Sequence, residues 1–130
     1  VKVVNVSSAT HVPTFLMPAA AKALSLKEEV QEMKDAFAER RVLMHQGLSS
    51  LPGFVVPEPE GAFYILCDIT GTGLTDIEFA HQALEHAQVQ VIPGSLMKGG
   101  DGLIRISYAT SIANIHEGVR RLREWLESRS

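Results

Sequence analysis

The chain has 130 residues, 45% of them hydrophobic and 21% charged, the balance of one globular domain long enough to bury a core without help from metal or disulfides. Twelve Lys and Arg against 15 Asp and Glu give a formal charge of −3, so there is no electrostatic footprint for nucleic acid or an anionic membrane. A single cysteine, Cys67, excludes an intramolecular disulfide framework; with no secretory leader pattern and no apolar run near the ~18 residues of a membrane span, a reducing cytoplasm is the expected setting. Val1, running into the strand-like Val1 to Val6 with no initiator Met, points to processing or to a piece of something longer.

In chain order, the first helical stretch is Phe15 to Leu24, with Thr14 as its cap and Pro18 confined to the first turn, since a later proline would break the ladder. Ser25-Leu26-Lys27-Glu28 has the spacing of a capping box. It opens a long amphipathic helix in which Val30, Met33, Phe37, Met44 and Leu48 recur at helical intervals amid Glu29, Glu32, Asp35 and Glu39. Leu51-Pro52-Gly53 stops that helix, and the stiff Pro57 to Gly61 segment delivers the chain into a strand over Ala62 to Cys67. A glycine turn follows at Gly71 to Gly73. Thr75 to Glu78 is a second capping box, opening a helix expected to bury Ile77, Ala80, Leu84 and Ala87. Val89 to Ile92 predicts a short strand ended by Pro93-Gly94. The glycine-rich stretch Lys98 to Gly102 leads hairpin-fashion to Leu103 to Tyr108, where alternation sets Ile104, Ile106 and Tyr108 opposite Arg105 and Ser107. The last helix carries Ile112, Ile115, Val119, Leu122 and Leu126 as its stripe, with Ser111 as cap and Trp125 beside the stripe. The order predicts an α+β domain: a small, mostly antiparallel sheet of about three strands with helices on one face, preceded by the long amphipathic helix.

The residue types with chemistry to offer are few. Histidines 11, 45, 81, 86 and 116 share no i, i+4 pair, so no metal site is expected. Gly71 to Gly73 and Gly99 to Gly102 do not continue into phosphate-binding patterns and are expected to be turns. Cys67 has the setting of a small buried hydrophobe, Asp68 that of a strand end, and Asp76 that of a first-turn charge near a helix dipole. Arg120, Arg121, Arg123 and Arg129 are offset by Glu117, Glu124 and Glu127, the pattern of a solvated helix face. Arg105 stands apart: a guanidinium between isoleucines on a strand is a fixed, bidentate fork for a carboxylate. Periodicity alone favours the plainer alternative, an arginine on a solvated sheet face.

Taken together, Ser7 to Thr14, Leu51 to Phe54, Pro59 to Tyr64, Val91 to Ser95 and Ile104 to Ala109 resemble, in order and spacing, the C-terminal part of the class I/II aminotransferases, pyridoxal-phosphate enzymes of the aspartate aminotransferase fold type. The resemblance covers about Asn5 to Leu126. It departs from the family at His11-Val12, where many relatives have a polar pair ending in Asn, and at Met97-Lys98, where PGSxFG is common.

The resemblance implies that residues 1–14 lead out of a large domain and that 15–130 are the small domain that closes over a cofactor held mainly elsewhere. It implies that Arg105 binds the α-carboxylate of an amino-acid substrate, that Phe63 lies near the substrate pocket, and that Gly61 and Gly94 are backbone requirements of the turns shaping it. Pyridoxal 5'-phosphate is then the cofactor of the full-length enzyme. Its Schiff-base lysine, a pyridine-nitrogen partner and phosphate-binding groups precede the region covered here; Lys2, Lys22, Lys27, Lys34 and Lys98 sit in no matching motif. No catalytic residue is therefore assigned, and the isolated 130 residues are expected to bind no cofactor covalently and to be inactive. The full-length reaction implied is amino transfer between an L-amino acid and a 2-oxo acid, by a homodimer. Alternatives are another enzyme on the same framework, such as a β-lyase or a cyclopropane-forming synthase, or a free-standing carboxylate-binding or dimerisation module.

Overall fold

The computed structural model describes residues 13–129; the strand-like opening and the Ser7 to Val12 part of the first matching stretch lie outside them. The chain divides into two compact units, one up to Asp35 and one from Ala36 onward.

In the first unit, Thr14–Leu16 make one 3-10 turn that leads into α1 (Met17–Ala23), with Pro18 in the first turn as its missing N–H requires. The caps differ from those expected. Pro13 rather than Thr14 precedes the turn, and no side chain caps it. The Ser25 hydroxyl donates to Lys22 O at 2.7 Å, at the end of α1, and α2 (Lys27–Ser49) begins one residue later than a cap at Ser25 would give. No residue from Pro13 to Asp35 is buried. Val30 and Met33, expected on the inward stripe of α2, are exposed.

In the second unit, α2 packs Phe37 against the core and buries Met44 and Leu48. Beyond it, Gly53 has φ +78, and a Cβ there would lie 2.6 Å from the Gly71 carbonyl carbon. Glycine is required twice over, by the sign of φ and by the approach of two backbones. β1 (Tyr64–Asp68) starts two residues later than the sequence suggests, because Ala62 adopts the left-handed conformation, φ 66, and the chain is not extended there.

α3 (Asp76–Ala87) has its capping box in full: Thr75 Oγ1 accepts from Glu78 N at 3.2 Å, and Glu78 Oε2 accepts from Thr75 N at 3.0 Å. Its buried face is not the one expected. Phe79, Ala83 and Ala87 point inward while Ile77 and Leu84 are exposed, because the Phe79 ring is held edge-on between Phe54, 5.6 Å between centroids, and Trp125 at 5.0 Å. β2 is only Ile92–Pro93. Val89 is consumed by the helix end, where Gln88 is left-handed and the Val89 N–H donates back to Ala83 O at 3.1 Å.

β3 (Leu103–Ser107) is the central strand of an antiparallel sheet of order β1-β3-β2. α4 (Ile112–Ser128) follows, its N-cap Ser111 accepting from Asn114 N at 3.2 Å. Ile65 and Cys67 of β1, Ile104 and Ile106 of β3, Phe79 and Ala83 of α3, and Ile115, Leu122, Trp125 and Leu126 of α4 form one core with Met44 and Leu48. Trp125 is thus part of the core. The helices of this unit pack on one sheet face through that core; the other face carries Tyr64, Leu66, Arg105 and Ser107, none of them buried. This is the α+β arrangement expected.

Candidate substrate-anchoring face

Alternation along β3 sends Ile104 and Ile106 into the core and Arg105 out of it. The antiparallel register places Arg105 between Leu66 of β1 and Ile92 of β2, so a half-buried guanidinium is flanked by apolar side chains on both neighbouring strands. Tyr64 sits diagonally across the β1–β3 ladder, opposite Ser107, within reach of a long side chain. The Arg105 guanidinium carbon lies over the Tyr64 ring, 5.2 Å from its centroid. The Phe63 ring meets the Tyr64 ring edge-on, 5.5 Å between centroids at 88°, and Phe63 is 53% exposed. Among the described residues no carboxylate forms an ion pair with Arg105.

Tyr64, which sequence reasoning passed over, lies on the Arg105 face and contacts both predicted residues, the Arg105 guanidinium over its ring and the Phe63 ring edge-on. Its position on that face depends on strand register, which a single strand's pattern does not contain.

The backbone leading to Phe63 is fixed from behind. Tyr108, 1% exposed, donates its hydroxyl to Ala62 O at 2.9 Å, and its N–H donates to Phe63 O at 2.8 Å. Arg41 donates to Pro59 O at 2.7 Å and His45 Nε2 lies 3.1 Å from Val56 O, so α2 holds the approach to β1 by its carbonyls. Burial pushes the Tyr108 phenol up, against an opposing pull from the Arg41 charge.

Of the two glycines expected to shape the pocket, one is so required. A Cβ on Gly94 would lie 2.6 Å from Leu103 O and closer still to Gly100 O. Gly61 has no left-handed φ and a Cβ there would meet nothing; the unusual conformation belongs to its neighbour Ala62. Asp76 is in the first helical turn, as expected, and is also the one buried charged residue among those described. Its Oδ2 accepts from Ser95 N at 2.8 Å. The Ser95 side chain, then the Ser95 backbone, hold its carboxyl below the ordinary carboxylate value.

The remaining candidates have structural surroundings. Burial pushes the Cys67 thiol up to about 12, which leaves no thiolate nucleophile at neutral pH. Asp68 ends β1 and accepts from Thr70 N and Oγ1. Arg120 and Arg121 both donate to Glu117, whose carboxyl is drawn down to about 2 chiefly by the Arg120 side chain, so the arginine group pairs along an exposed helix face. His81, His86 and His116 are exposed and His11 lies outside the described residues; among the described residues no group of three His, Cys, Asp or Glu could hold a metal. No described helix is long and apolar enough to cross a membrane. Lys22, Lys27, Lys34 and Lys98 are exposed and none lies on a strand.

Residues 2–122 match the family described as aminotransferase class I and II. Aspartate aminotransferase of Pyrococcus horikoshii is 40% identical over 121 residues, covering 90% of this chain and 31% of that protein. The probable aspartate/prephenate aminotransferase of Aquifex aeolicus is 40% identical over 129 residues, 95% of this chain and 32% of its own length. Among solved structures, the aromatic aminotransferase from Pyrococcus horikoshii superposes with a TM-score of 0.89 at 39% identity, over 95% of this chain and 34% of that one. The aspartate aminotransferase from Rhizobium meliloti gives 0.82 at 32% identity, over 93% and 33%. The chain thus spans about a third of the length of these relatives. With the matching stretches on the sheet and turns described above, this chain belongs to the class I and II aminotransferase family.

Proposed function

We propose that this chain is the small domain of a pyridoxal-phosphate-dependent aminotransferase, with 1–14 leading out of a large domain and 15–130 forming the closing domain, and that Arg105 anchors the α-carboxylate of the amino-acid substrate. The observation that carries this reading is the position of Arg105. A guanidinium at the centre of the sheet face opposite the core, between Leu66 and Ile92, presents its N–H edge to whatever meets that face, in surroundings less hydrated than an open surface. A bidentate carboxylate is the ligand that such a fork fits. Phe63, exposed beside Tyr64, supplies an apolar wall next to the anchor.

The described residues do not fit a cofactor-holding role: their lysines are exposed and off the strands. Pyridoxal phosphate, whose ring acts as an electron sink in amino transfer, would be held by the large domain. What this chain contributes is orientation. By fixing the carboxylate, Arg105 would present the substrate's α-carbon in one direction and bring the sheet face down over it, excluding water as the domains close. On this reading the whole protein takes an L-amino acid and a 2-oxo acid and works as a homodimer.

The test is Arg105→Ala in the intact enzyme. Loss of a charged hydrogen-bonded pair removes about 1.5–3 kcal/mol, so kcat/KM should fall roughly 10- to 100-fold. An unchanged kcat/KM would take Arg105 out of the site.

A further inference from the structure

We propose that Tyr64 is the positioning residue of the Arg105 anchor, a ring platform that fixes the plane of the guanidinium so that its fork faces the ligand. The inference rests on the reading of Arg105 as a carboxylate anchor and extends it to a residue in a different strand.

Three observations carry it. The guanidinium carbon of Arg105 lies 5.2 Å from the Tyr64 ring centroid, within the range of attraction between a cation and an aromatic face. Tyr64 is in turn buttressed by the Phe63 ring, edge-on at 88°, and both rings belong to a stretch whose backbone is tied at Phe63 O by the Tyr108 N–H. The platform is therefore set by the sheet and not by a mobile loop. Third, none of the described carboxylates forms an ion pair with Arg105, and Ile92 and Leu66, its cross-strand partners, are apolar.

The chemistry explains why a ring serves here and a carboxylate would not. A protein carboxylate orienting the guanidinium would occupy the same in-plane N–H groups that a substrate carboxylate needs. A ring attracts the cation to its π-face and offers no carboxylate oxygen to compete for the guanidinium's N–H fork. It restricts an otherwise flexible side chain without competing with the ligand, which lowers the ordering loss on binding. The position calls for an aromatic face; the Tyr64 hydroxyl is not needed for it.

The experiment is a set of single and double variants of the intact, cofactor-loaded enzyme, followed as separate KM and kcat for the amino-acid substrate. Tyr64→Leu should raise KM about 3- to 10-fold with kcat little changed, and Tyr64→Phe should restore KM to within about twofold of the parent. In an Arg105→Ala background, Tyr64→Leu should add nothing, since the platform then has no cation to hold. Tyr64→Met, also unable to offer a ring, serves if the leucine variant folds poorly. A parental KM in Tyr64→Leu, with Arg105→Ala impaired, would overturn this inference and leave the anchor standing. An equal KM rise in both backgrounds would show Tyr64 acting independently of Arg105 and would overturn it as well. An unimpaired Arg105→Ala would remove anchor and platform together.

Discussion

Tyr108 acts at the scale of a single hydroxyl. Its ring is core, edge-on to Phe37 at 6.2 Å, but its oxygen reaches across 46 residues to the carbonyl of Ala62, the left-handed residue just before Phe63. Tyr108→Phe keeps the ring and removes only that donor. Losing one hydrogen bond to a neutral carbonyl costs about 0.5–1.5 kcal/mol, so the variant should melt slightly earlier than the parent; an unaltered thermal midpoint would show the hydroxyl to be dispensable. At this scale the sequence was legible where one strand's own pattern decides. The alternation of Leu103 to Tyr108 put Arg105 outward and Tyr108 inward, and both lie so. The partnership of Arg105 with Tyr64 was not legible, because it is set by β1 pairing with β3 in one register out of several. Nor was the reason the Phe63 turn takes its shape. Gly61 looked like the residue with conformational freedom, while Ala62 carries the positive φ.

Among the elements, α3 shows where a pattern misleads. Ile77, Ala80, Leu84 and Ala87 form an acceptable helical stripe, and so do Phe79, Ala83 and Ala87. The two sets differ by a modest rotation, and only the aromatic surroundings of Phe79 choose between them. That rotation also turns Asp76 inward, where it joins the start of α3 to the turn between β2 and β3 through Ser95. A carboxylate whose pKa is lowered by folding stabilises the fold above its ordinary value of 3.8, and this contribution is lost as the pH falls through the lower, folded value. Asp76→Asn should therefore flatten the acid side of the stability profile below about pH 4, measured as denaturant midpoint against pH. A parent and variant with parallel acid limbs would exclude Asp76 as the source. The capping box of Thr75 and Glu78 was legible because it is local, four residues in fixed spacing. At Ser25 the same spacing lies one residue ahead of the helix that starts at Lys27, and the hydroxyl donates to the carbonyl of Lys22, three residues back.

For the whole molecule, the α+β class followed from the sequence of periodicities, and the single core follows from their apolar faces. What no pattern in these residues could supply is the purpose of the surfaces left open. Phe15, Met17, Leu24 and Met33 are exposed in the first unit, as is Phe63 in the second. If the chain is one domain of a longer enzyme, as proposed, such surfaces would be left for the remainder to meet. On that reading these 130 residues supply an anchor without a reaction centre. Mixed with pyridoxal phosphate, an amino acid and a 2-oxo acid, they should show no amino transfer; turnover accompanied by a borohydride-trapped lysine adduct would sink the proposal.

The smallness of the sheet carries its own consequence. Exposed strand edges invite other chains to pair, and short edge strands, prolines and covering segments discourage it. Here β2 ends after two residues, one of them Pro93, which has no N–H to offer a neighbour. At the opposite edge Val55 exchanges both backbone hydrogen bonds with Asp68, at 2.9 and 3.0 Å, occupying the end of β1. A three-stranded sheet would otherwise be a template for accretion; these two features cut that template short on either side, so the strands beside Arg105 do not recruit a fourth.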